Sequence, residues 1–414
     1  MATYVVSNLE MISGEQFAVI KDIDTGMPIF DAMVWVTTTL RAAGNSPNSI
    51  AQALRSIAVM QQYLDSHDIN LEQRLQEGRF LTQHEATGLA TECKSSRKSA
   101  NKPDSNSGTT NLKNKGCQTV NIRFVKDSTA AIRCFYITKY LQWKLDGHLL
   151  RVGIDSKRYH EIKYLGERSI SGFSTLPPKN RRRIDADSRE GLPPESKELL
   201  LSITKQNSPK NPWKDEHTIF RNHLIIQWML SLGIRAGELL GIRVSDISTS
   251  NGTVKILRRP DNIDDPRLRR GRVKTNEREL TLPTKVTDLT RTYILQYRRI
   301  IPGARKHEFL FVASKTGKPL SYSALAKIFS TLTNQNQSEL NKLVSHVLRH
   351  TWNDDFSKLA DQSKMNPNRE KKIRSYLMGW SENSNSAATY TRRHTRRDAN
   401  DFLTSQQSQP QEKK

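Results

Sequence analysis

The stretch Ser345–Tyr390 contains the most informative part of the chain. It reads SHVLRHTWNDDF over residues 345–356 and, after a polar break, KIRSYLMGWSENSNSAATYTRR over residues 372–393. The first part has the pattern of a helix, on which His346 and Arg349, three residues apart, share a face. A guanidinium and an imidazole on one face of a helix favour binding of a phosphate.

Two earlier segments add basic residues to this set. Arg235 lies in SLGIRAGELLGIRVSDI, just after Gly233, which is predicted to end a helix, and Lys274 lies in GRVKTNERELTLP. Phosphoryl transfer requires fixed positive charge around the phosphate oxygens, a nucleophile in line and an acid for the leaving oxygen. With Tyr390 as the nucleophile, the sequence contains side chains for each of these tasks.

Composition indicates a polyanionic partner. The chain has 414 residues, with 65 Lys and Arg against 42 Asp and Glu, which gives a formal net charge of +23. So large an excess favours nucleic acid, because neutralising phosphates releases counterions. An anionic membrane is the rival partner, but no basic amphipathic helix with an aromatic-rich opposite face is evident.

The chain shows no transmembrane run and no signal-peptide pattern, so we expect a cytoplasmic, nucleoid-associated protein. The three cysteines, Cys93, Cys117 and Cys134, are scattered and form no CxxC motif. The sequence therefore predicts neither a disulfide framework nor a metal site, and it suggests no cofactor.

Periodicity predicts a mainly helical fold with a small β-sheet, arranged in two domains. Residues 1–27 are predicted to form an N-terminal extension, residues 28–165 a helical domain with a polar, disordered insert at 94–118, and residues 190–395 a second, larger domain. Ser46-Pro47 predicts a helix start, with a hydroxyl cap followed by proline in the first turn.

Two further segments complete this organisation. The stretch 166–195 contains two Pro-Pro pairs and a basic run. Within it, residues 166–189 are predicted to form a linker that lies along a phosphate backbone through Lys179, Arg181, Arg182 and Arg183. Residues 396–414 lose apolar content and are predicted to form a flexible tail.

In the second domain, GTVKILRRP predicts a strand, RVKTNERELTLP a pair of strands forming a hairpin around Asn276, and EFLFVAS a short buried strand. Helices are predicted over Thr287–Ile300, Ser323–Asn334, Ser345–Ala360 and Lys371–Met378.

Four motifs together resemble the tyrosine recombinases, also called the phage integrase family. They are GIRAGELLGI at 233–242, KTNER at 274–278, HVLRH at 346–350, and Gly379-Trp380 followed by Tyr390. The motifs occur in the family's order within one domain. Residues 190–395 carry the resemblance, which implies that they form the catalytic domain. Residues 28–165 resemble the family's helical, SAM-like core-binding domain, which clamps DNA, in pattern and placement only.

The resemblance implies a role for each matching residue. Arg235 and Arg349 would bind the scissile phosphate, Lys274 would protonate the 5′ leaving oxygen, and His346 would assist proton transfer at the tyrosine. Trp380 would support the phosphate through its indole N–H, and Tyr390 would form a 3′-phosphotyrosyl intermediate without metal or ATP. Glu238 would support this cluster rather than transfer protons, and His350 would be structural.

Two features depart from the family pattern. Trp380 and Tyr390 are ten residues apart, about one more than expected, and the connection is rich in Ser and Asn. Tyr376 is a rival nucleophile, but it lies within an apolar helix pattern and is better explained as a residue of the helix face.

Three functional hypotheses follow. The first is a site-specific recombinase or integrase of a mobile element that acts on double-stranded DNA as a homotetramer, with accessory DNA-bending or directionality proteins as further partners. The second is a monomeric, type IB topoisomerase-like enzyme that relaxes DNA. The third is a non-catalytic DNA-binding regulator that retains the recombinase fold.

Overall fold

The computed structural model describes residues 4–96, 124–178, 191–259, 262, 264–267, 270, 271, 273, 275–341, 343–381, 384 and 403. The chain divides into two compact units, Met1–Ile184 and Asp185–Lys414. Each unit has its own hydrophobic core. Within the described ranges, every helix is too short or too polar to span a bilayer.

The described part of the first unit consists of a β-hairpin followed by helices. In chain order these elements are β1 (Tyr4–Glu10), β2 (Gln16–Asp22), α1 (Phe30–Trp35), α2 (Pro47–Ser66), α3 (Leu71–Gln76), α4 (Gln83–Glu92), α5 (Asp127–Val152) and α6 (Lys157–Thr175). Helix α1 continues as a π-helix over Val36–Arg41.

Helix α2 is the central element of this unit. Its start matches the prediction from sequence, because the Ser46 side chain accepts a hydrogen bond from the N–H of Ser49 and Pro47 occupies the first turn. Strand β2 pairs with β1 along its whole length and buries residues 17–20 in the core that α2 also forms. Residues 4–27, predicted only as an extension, thus contribute to this core.

Helix α6 corrects the predicted start of the linker at residue 166. The helix runs to Thr175, and Ile170 and Phe173, three residues apart, are buried in the core. The prediction gave weight to the Pro-Pro pairs and overlooked this apolar spacing. The helix ends just before Pro177, as expected for a residue that cannot continue a helix.

The second unit packs helices around a small sheet. Its elements are α7 (Pro194–Ile203), α8 (Glu216–Leu232), α9 (Ala236–Gly241), β3 (Ile247–Ser248), β4 (Thr253–Ile256), β5 (Arg278–Thr281), α10 (Thr284–Thr292), α11 (Tyr322–Gln335), α12 (Ser345–Gln362) and α13 (Pro367–Met378). Helix α10 continues as a π-helix over Tyr293–Arg298. The strands form one antiparallel sheet in the order β3-β4-β5. The predicted mainly helical fold with a small sheet is confirmed.

Two strand predictions for this unit were wrong. In the described part of RVKTNERELTLP only the residues after Asn276 form a strand, and that strand, β5, pairs with β4 rather than with a strand just before the turn. The segment EFLFVAS forms isolated bridges, Arg243 with Phe309 and Val312 with Pro319, instead of a strand. Leu310 and Phe311 are buried as predicted.

Candidate active site

The site begins at the end of α8, a helix whose side chains are mostly buried. Gly233 ends the helix with φ +59°, a conformation that glycine adopts without strain. A Cβ at this position would lie 2.9 Å from the Trp352 ring on α12, so glycine also permits close packing. The chain then turns into α9, and Arg235 is the residue at its N-cap.

Arg349 joins three segments of the unit from its position on α12. Its side chain is buried, and Nη1 donates to the carbonyl oxygen of Gly233 at 2.7 Å, while Nη2 donates to that of Met378 at 3.3 Å. Its guanidinium carbon lies 5.5 Å from the centroid of the Trp380 ring. The contacts fix this cation between the ends of α8 and α13.

Arg235 lies beside Glu238 at the start of α9. The Glu238 carboxylate accepts a hydrogen bond from the backbone N–H of Arg235 at 3.1 Å, and its Oε1 lies 3.5 Å from Nη1 of Arg235. This Nη1 is buried and has no hydrogen-bond acceptor among the residues that the structure describes. A cationic donor left without an acceptor is suited to an anion that enters the site.

Glu238 is buried among positive charges. Its Oε2 accepts from Arg278 at 2.9 Å and its Oε1 from the Thr275 hydroxyl at 2.6 Å. Burial raises the pKa of Glu238, but the charges of Arg278 and Arg349 and the hydrogen bonds from Arg278 and Thr275 outweigh burial and hold the pKa below its ordinary value. The carboxylate is therefore ionised at neutral pH and suits the supporting role expected for it.

Trp380 follows directly from the end of α13. Gly379 adopts φ +64°, and the N–H of Trp380 donates to the carbonyl of Ser375 at 2.8 Å, as in a Schellman motif. A Cβ on Gly379 would lie 2.6 Å from Nη1 of Arg278 and 2.7 Å from the Cβ of Thr275. The close approach at this glycine places the Trp380 ring near Arg349.

His346 lies one helical turn before Arg349 on α12 and is exposed. Its ring centroid is 4.5 Å from that of His350, at an interplanar angle of 81°. His350 is buried, which agrees with the structural role expected for it.

Several predicted residues lie outside the described part of the chain. They are Lys274, Tyr390 and the basic linker residues Lys179, Arg181, Arg182 and Arg183. The rival tyrosine, Tyr376, is described: it is exposed on α13, and its hydroxyl donates to the backbone carbonyl of Glu279 at 3.4 Å. The structure thus brings together Arg235, Glu238, Arg349 and Trp380.

Sequence reasoning gave no role to Arg278 or Thr275, although both are buried against Glu238. The alternation along β5 could have identified Arg278. Residues 278, 280 and 282 point to one side of the strand, and the apolar residues Leu280 and Leu282 mark that side as buried. An arginine on the buried side of a strand requires an acidic partner.

The arrangement produces a positive, partly enclosed site. Three guanidinium groups, from Arg235, Arg278 and Arg349, surround a single carboxylate, so positive charge is in excess. A phosphodiester gains negative charge at its transition state, and fixed cations stabilise that charge most where water is excluded. The site can therefore bind and activate a phosphodiester.

Comparisons with known proteins agree with this chemistry. Residues 206–397 match the model of the phage integrase family. Transposase A from transposon Tn554 of Staphylococcus aureus is 27% identical over 134 residues, which cover 32% of this chain and 34% of that protein. Tyrosine recombinase XerD of Halalkalibacterium halodurans is 26% identical over 175 residues, or 42% of this chain and 49% of that protein. The chain spans about a third to a half of the curated relatives that it matches.

Solved structures are also similar to this chain. A lambda integrase (75–356) dimer bound to a COC′ core site aligns with a TM-score of 0.45 and 11% identity, covering 88% of this chain and 95% of that chain. The Tn1549 transposon integrase (aa 82–397) in complex with circular intermediate DNA aligns with a TM-score of 0.38 and 19% identity, covering 64% and 80% respectively.

Proposed function

We propose that this chain, whose residues 206–397 match the model of the phage integrase family, is a tyrosine recombinase, a site-specific enzyme that cuts and rejoins DNA strands. A relative named as a transposase, 27% identical over 134 residues, favours a mobile element as its setting. The observation that carries the proposal is the convergence of Arg235 and Arg349, with Trp380, around the buried carboxylate of Glu238.

The chemistry would proceed in two balanced steps. The phenolic oxygen of Tyr390 attacks the phosphorus, the bond from phosphorus to the 5′ oxygen breaks, and Lys274 gives that oxygen a proton. His346 assists removal of the tyrosine proton. The 5′ hydroxyl of a second strand then attacks the phosphorus, the bond from phosphorus to the Tyr390 oxygen breaks, and the proton that the hydroxyl loses is returned to Tyr390. The phosphodiester energy is thus conserved and no ATP or metal is required.

The two arginines would act on charge rather than on protons. Arg349 is fixed by two backbone carbonyls, so its orientation is set before DNA binds. Arg235 offers a buried Nη1 donor to a phosphate oxygen. Donors already oriented toward the transition-state charge avoid reorganisation during the reaction.

Binding would involve both units. The net charge of +23 favours duplex DNA, and we propose that each unit contacts it. Exchange between two duplexes requires four strand cuts, so we propose a homotetramer on synapsed DNA, assisted by accessory DNA-bending or directionality proteins.

The test is a suicide substrate, a nicked duplex with the element's end sequence that traps the covalent intermediate. Wild type is expected to form a denaturation-resistant protein–DNA adduct, Tyr390→Phe to bind DNA without an adduct, and Tyr376→Phe, the matched control, to react like wild type. Tight binding with no adduct from wild type would contradict the proposal and favour the regulator. An adduct from Tyr390→Phe but not from Tyr376→Phe would assign the nucleophile to Tyr376.

A supercoiled plasmid tests the topoisomerase alternative. The proposal predicts reaction only on DNA with the element's ends, by an assembled complex. Relaxation of any plasmid by a monomer would instead indicate a DNA-relaxing enzyme.

A further inference from the structure

Arg278 is an arginine buried at the start of strand β5. Its side chain is 1% exposed, and it lies on the same side of the strand as the core residues Leu280 and Leu282. Removing a guanidinium from water is costly unless an ion pair and several hydrogen bonds compensate. A buried arginine among core leucines therefore indicates a structural role that an apolar side chain could not perform.

The guanidinium binds three separate segments of the chain at once. Nη2 pairs with Oε2 of Glu238 at 2.9 Å, Nη1 donates to the Thr275 hydroxyl at 3.1 Å, and Nε donates to the backbone carbonyl of Leu377 at 2.8 Å. Since the group is planar and rigid, these three contacts fix the segments relative to one another.

Each segment leads directly to a proposed site residue. Glu238 contacts Arg235, Thr275 follows Lys274 in the chain, and Leu377 lies three residues before Trp380. A backbone bond reinforces the same junction, because the N–H of Asn276 donates to the carbonyl of Gly379 at 2.9 Å. Arg278 thus lies where the α9, β5 and α13 segments meet.

We propose that Arg278 is a positioning residue that holds the segment carrying Lys274 in place against Glu238 and the end of α13, so that Lys274 can protonate the leaving oxygen. This inference rests on the proposed recombinase function and adds a residue to it. Arg278 would act through Lys274 and would not itself contact the reacting phosphate.

Lysine cannot replace arginine in this role. Arg278→Lys keeps a positive charge beside Glu238, but one ammonium cannot present donors to Glu238, Thr275 and Leu377 in the geometry of the planar fork. The substitution therefore removes the positioning while retaining the charge.

The experiment compares two nicked substrates in single-turnover cleavage, one with the natural 5′-bridging oxygen and one with sulfur in its place. A thiol has a pKa of about 8.5, so sulfur leaves without a proton from an acid. Arg278→Lys should cleave the oxygen substrate about 100-fold more slowly than wild type, as expected for a misplaced acid. On the sulfur substrate most of that loss should disappear.

The matched control is Arg298→Lys. Arg298 is also buried, and it donates to the carbonyls of Ala304, His307 and Phe309, away from the site residues. It should cleave both substrates at close to the wild-type rate. Equal DNA affinity of Arg278→Lys and wild type would show that the loss is in the chemical step.

A second variant keeps the test valid if Arg278→Lys is poorly folded. Thr275→Val removes the hydroxyl that links Arg278 to the segment after Lys274, and it should give the same substrate dependence with a smaller loss. Equal losses on both substrates, or no loss, would overturn the inference. Failure of wild type to cleave either substrate would instead contradict the proposed function.

Discussion

Glu238 is the residue on which the electrostatics of the site depend. It is buried, ionised and shared by Arg235, Arg278 and Thr275. Without it, two guanidinium groups would repel each other in a region of low dielectric. The carboxylate therefore holds the cations close together and leaves the exposed side of Arg235 accessible to a phosphate.

Glu238→Gln is predicted to impair both stability and cleavage. Losing one partner of a buried ion pair leaves an uncompensated charge and should lower the free energy of unfolding by about 3 kcal/mol. Urea unfolding and single-turnover cleavage measure the two effects. The control is Glu308→Gln, because Glu308 is 58% exposed and pairs with Arg243 at 3.8 Å, a contact worth well under about 1 kcal/mol. Equal stability of both variants would contradict the prediction.

His217 makes the second unit sensitive to acid. It is buried, with Nδ1 2.8 Å from the Ser314 hydroxyl and Nε2 3.3 Å from the Tyr293 hydroxyl. Burial, helped by the charge of Arg221, lowers the pKa of His217 from 6.5 to about 4. The unfolded chain therefore binds more protons between these values, and the free energy of unfolding falls as the pH drops through that window.

His217→Gln should weaken this pH dependence, since glutamine does not titrate. The measurement is hydrogen exchange of the α8 amides at pH 7 and pH 5, corrected for the intrinsic effect of pH on exchange. The wild-type loss should be at most about 3 kcal/mol. His160→Gln, at an exposed position on α6, is the control. An unchanged pH dependence in His217→Gln would refute the assignment.

Individual site residues could be predicted from the sequence where the residue type and its motif are distinctive. Arg235, Arg349 and Trp380 were chosen from short motifs, and the structure places them together. Arg278 was overlooked because its role depends on Glu238, 40 residues earlier in the chain, and on Leu377, 99 residues later. No local pattern contains both partners.

Among the elements, α13 and its glycine turn bring the last segment to the site. Helix α13 is anchored to α12 by Arg374, which is fully buried, pairs with Glu370, and donates to the carbonyl of Asn353 at 2.9 Å. Asn353 in turn donates to the carbonyl of Arg349 at 2.9 Å. The helix that leads to Trp380 and the helix that carries Arg349 are thus joined through one buried polar network.

Gly379→Ala is predicted to displace Trp380 and slow cleavage. The substitution combines a strained φ of +64° with a Cβ only 2.6 Å from Arg278 and 2.7 Å from Thr275, so neighbouring groups must move. Cleavage should fall about 100-fold, as expected for a misplaced site. The readout is single-turnover cleavage at equal DNA occupancy.

Gly252→Ala is the control, because it introduces the same backbone strain without displacing neighbouring side chains. Gly252 has a similar φ of +61°, but its nearest neighbours to a Cβ are at 3.6 Å. It should lose about 1 kcal/mol of stability and keep its cleavage rate. If both alanine variants cleave equally well, the turn at Gly379 does not position the site.

Helices were easier to predict than strands for a physical reason. A helix is specified by periodicity and end signals within its own segment, as the Ser46-Pro47 start of α2 shows. Strand β5 depends on β4, and their pairing joins Ile256 to Arg278 across a long connection. A local hairpin pattern around Asn276 therefore suggested the wrong partner.

For the whole molecule, the net charge and the family match over residues 206–397 favour the same class of reaction. The net charge of +23 favours a phosphate-rich partner, and the cluster around Glu238 provides a place where a phosphodiester can react. The mainly helical fold could be predicted from periodicity, and four ordered motifs indicated the family that residues 206–397 match. The proposed assembly of copies on DNA would depend on contacts between chains, for which no single segment has a local signal.

The proposed function requires a covalent bond between Tyr390 and a 3′ phosphate, formed without a metal ion. The most direct measurement is mass spectrometry of the adduct, trapped on a suicide substrate in the presence of EDTA and without ATP, after protease and nuclease digestion. We expect one modified peptide, with a nucleotide attached through its 3′ phosphate to Tyr390. Attachment through a 5′ phosphate, attachment to another residue, or an adduct that forms only with added metal would contradict it.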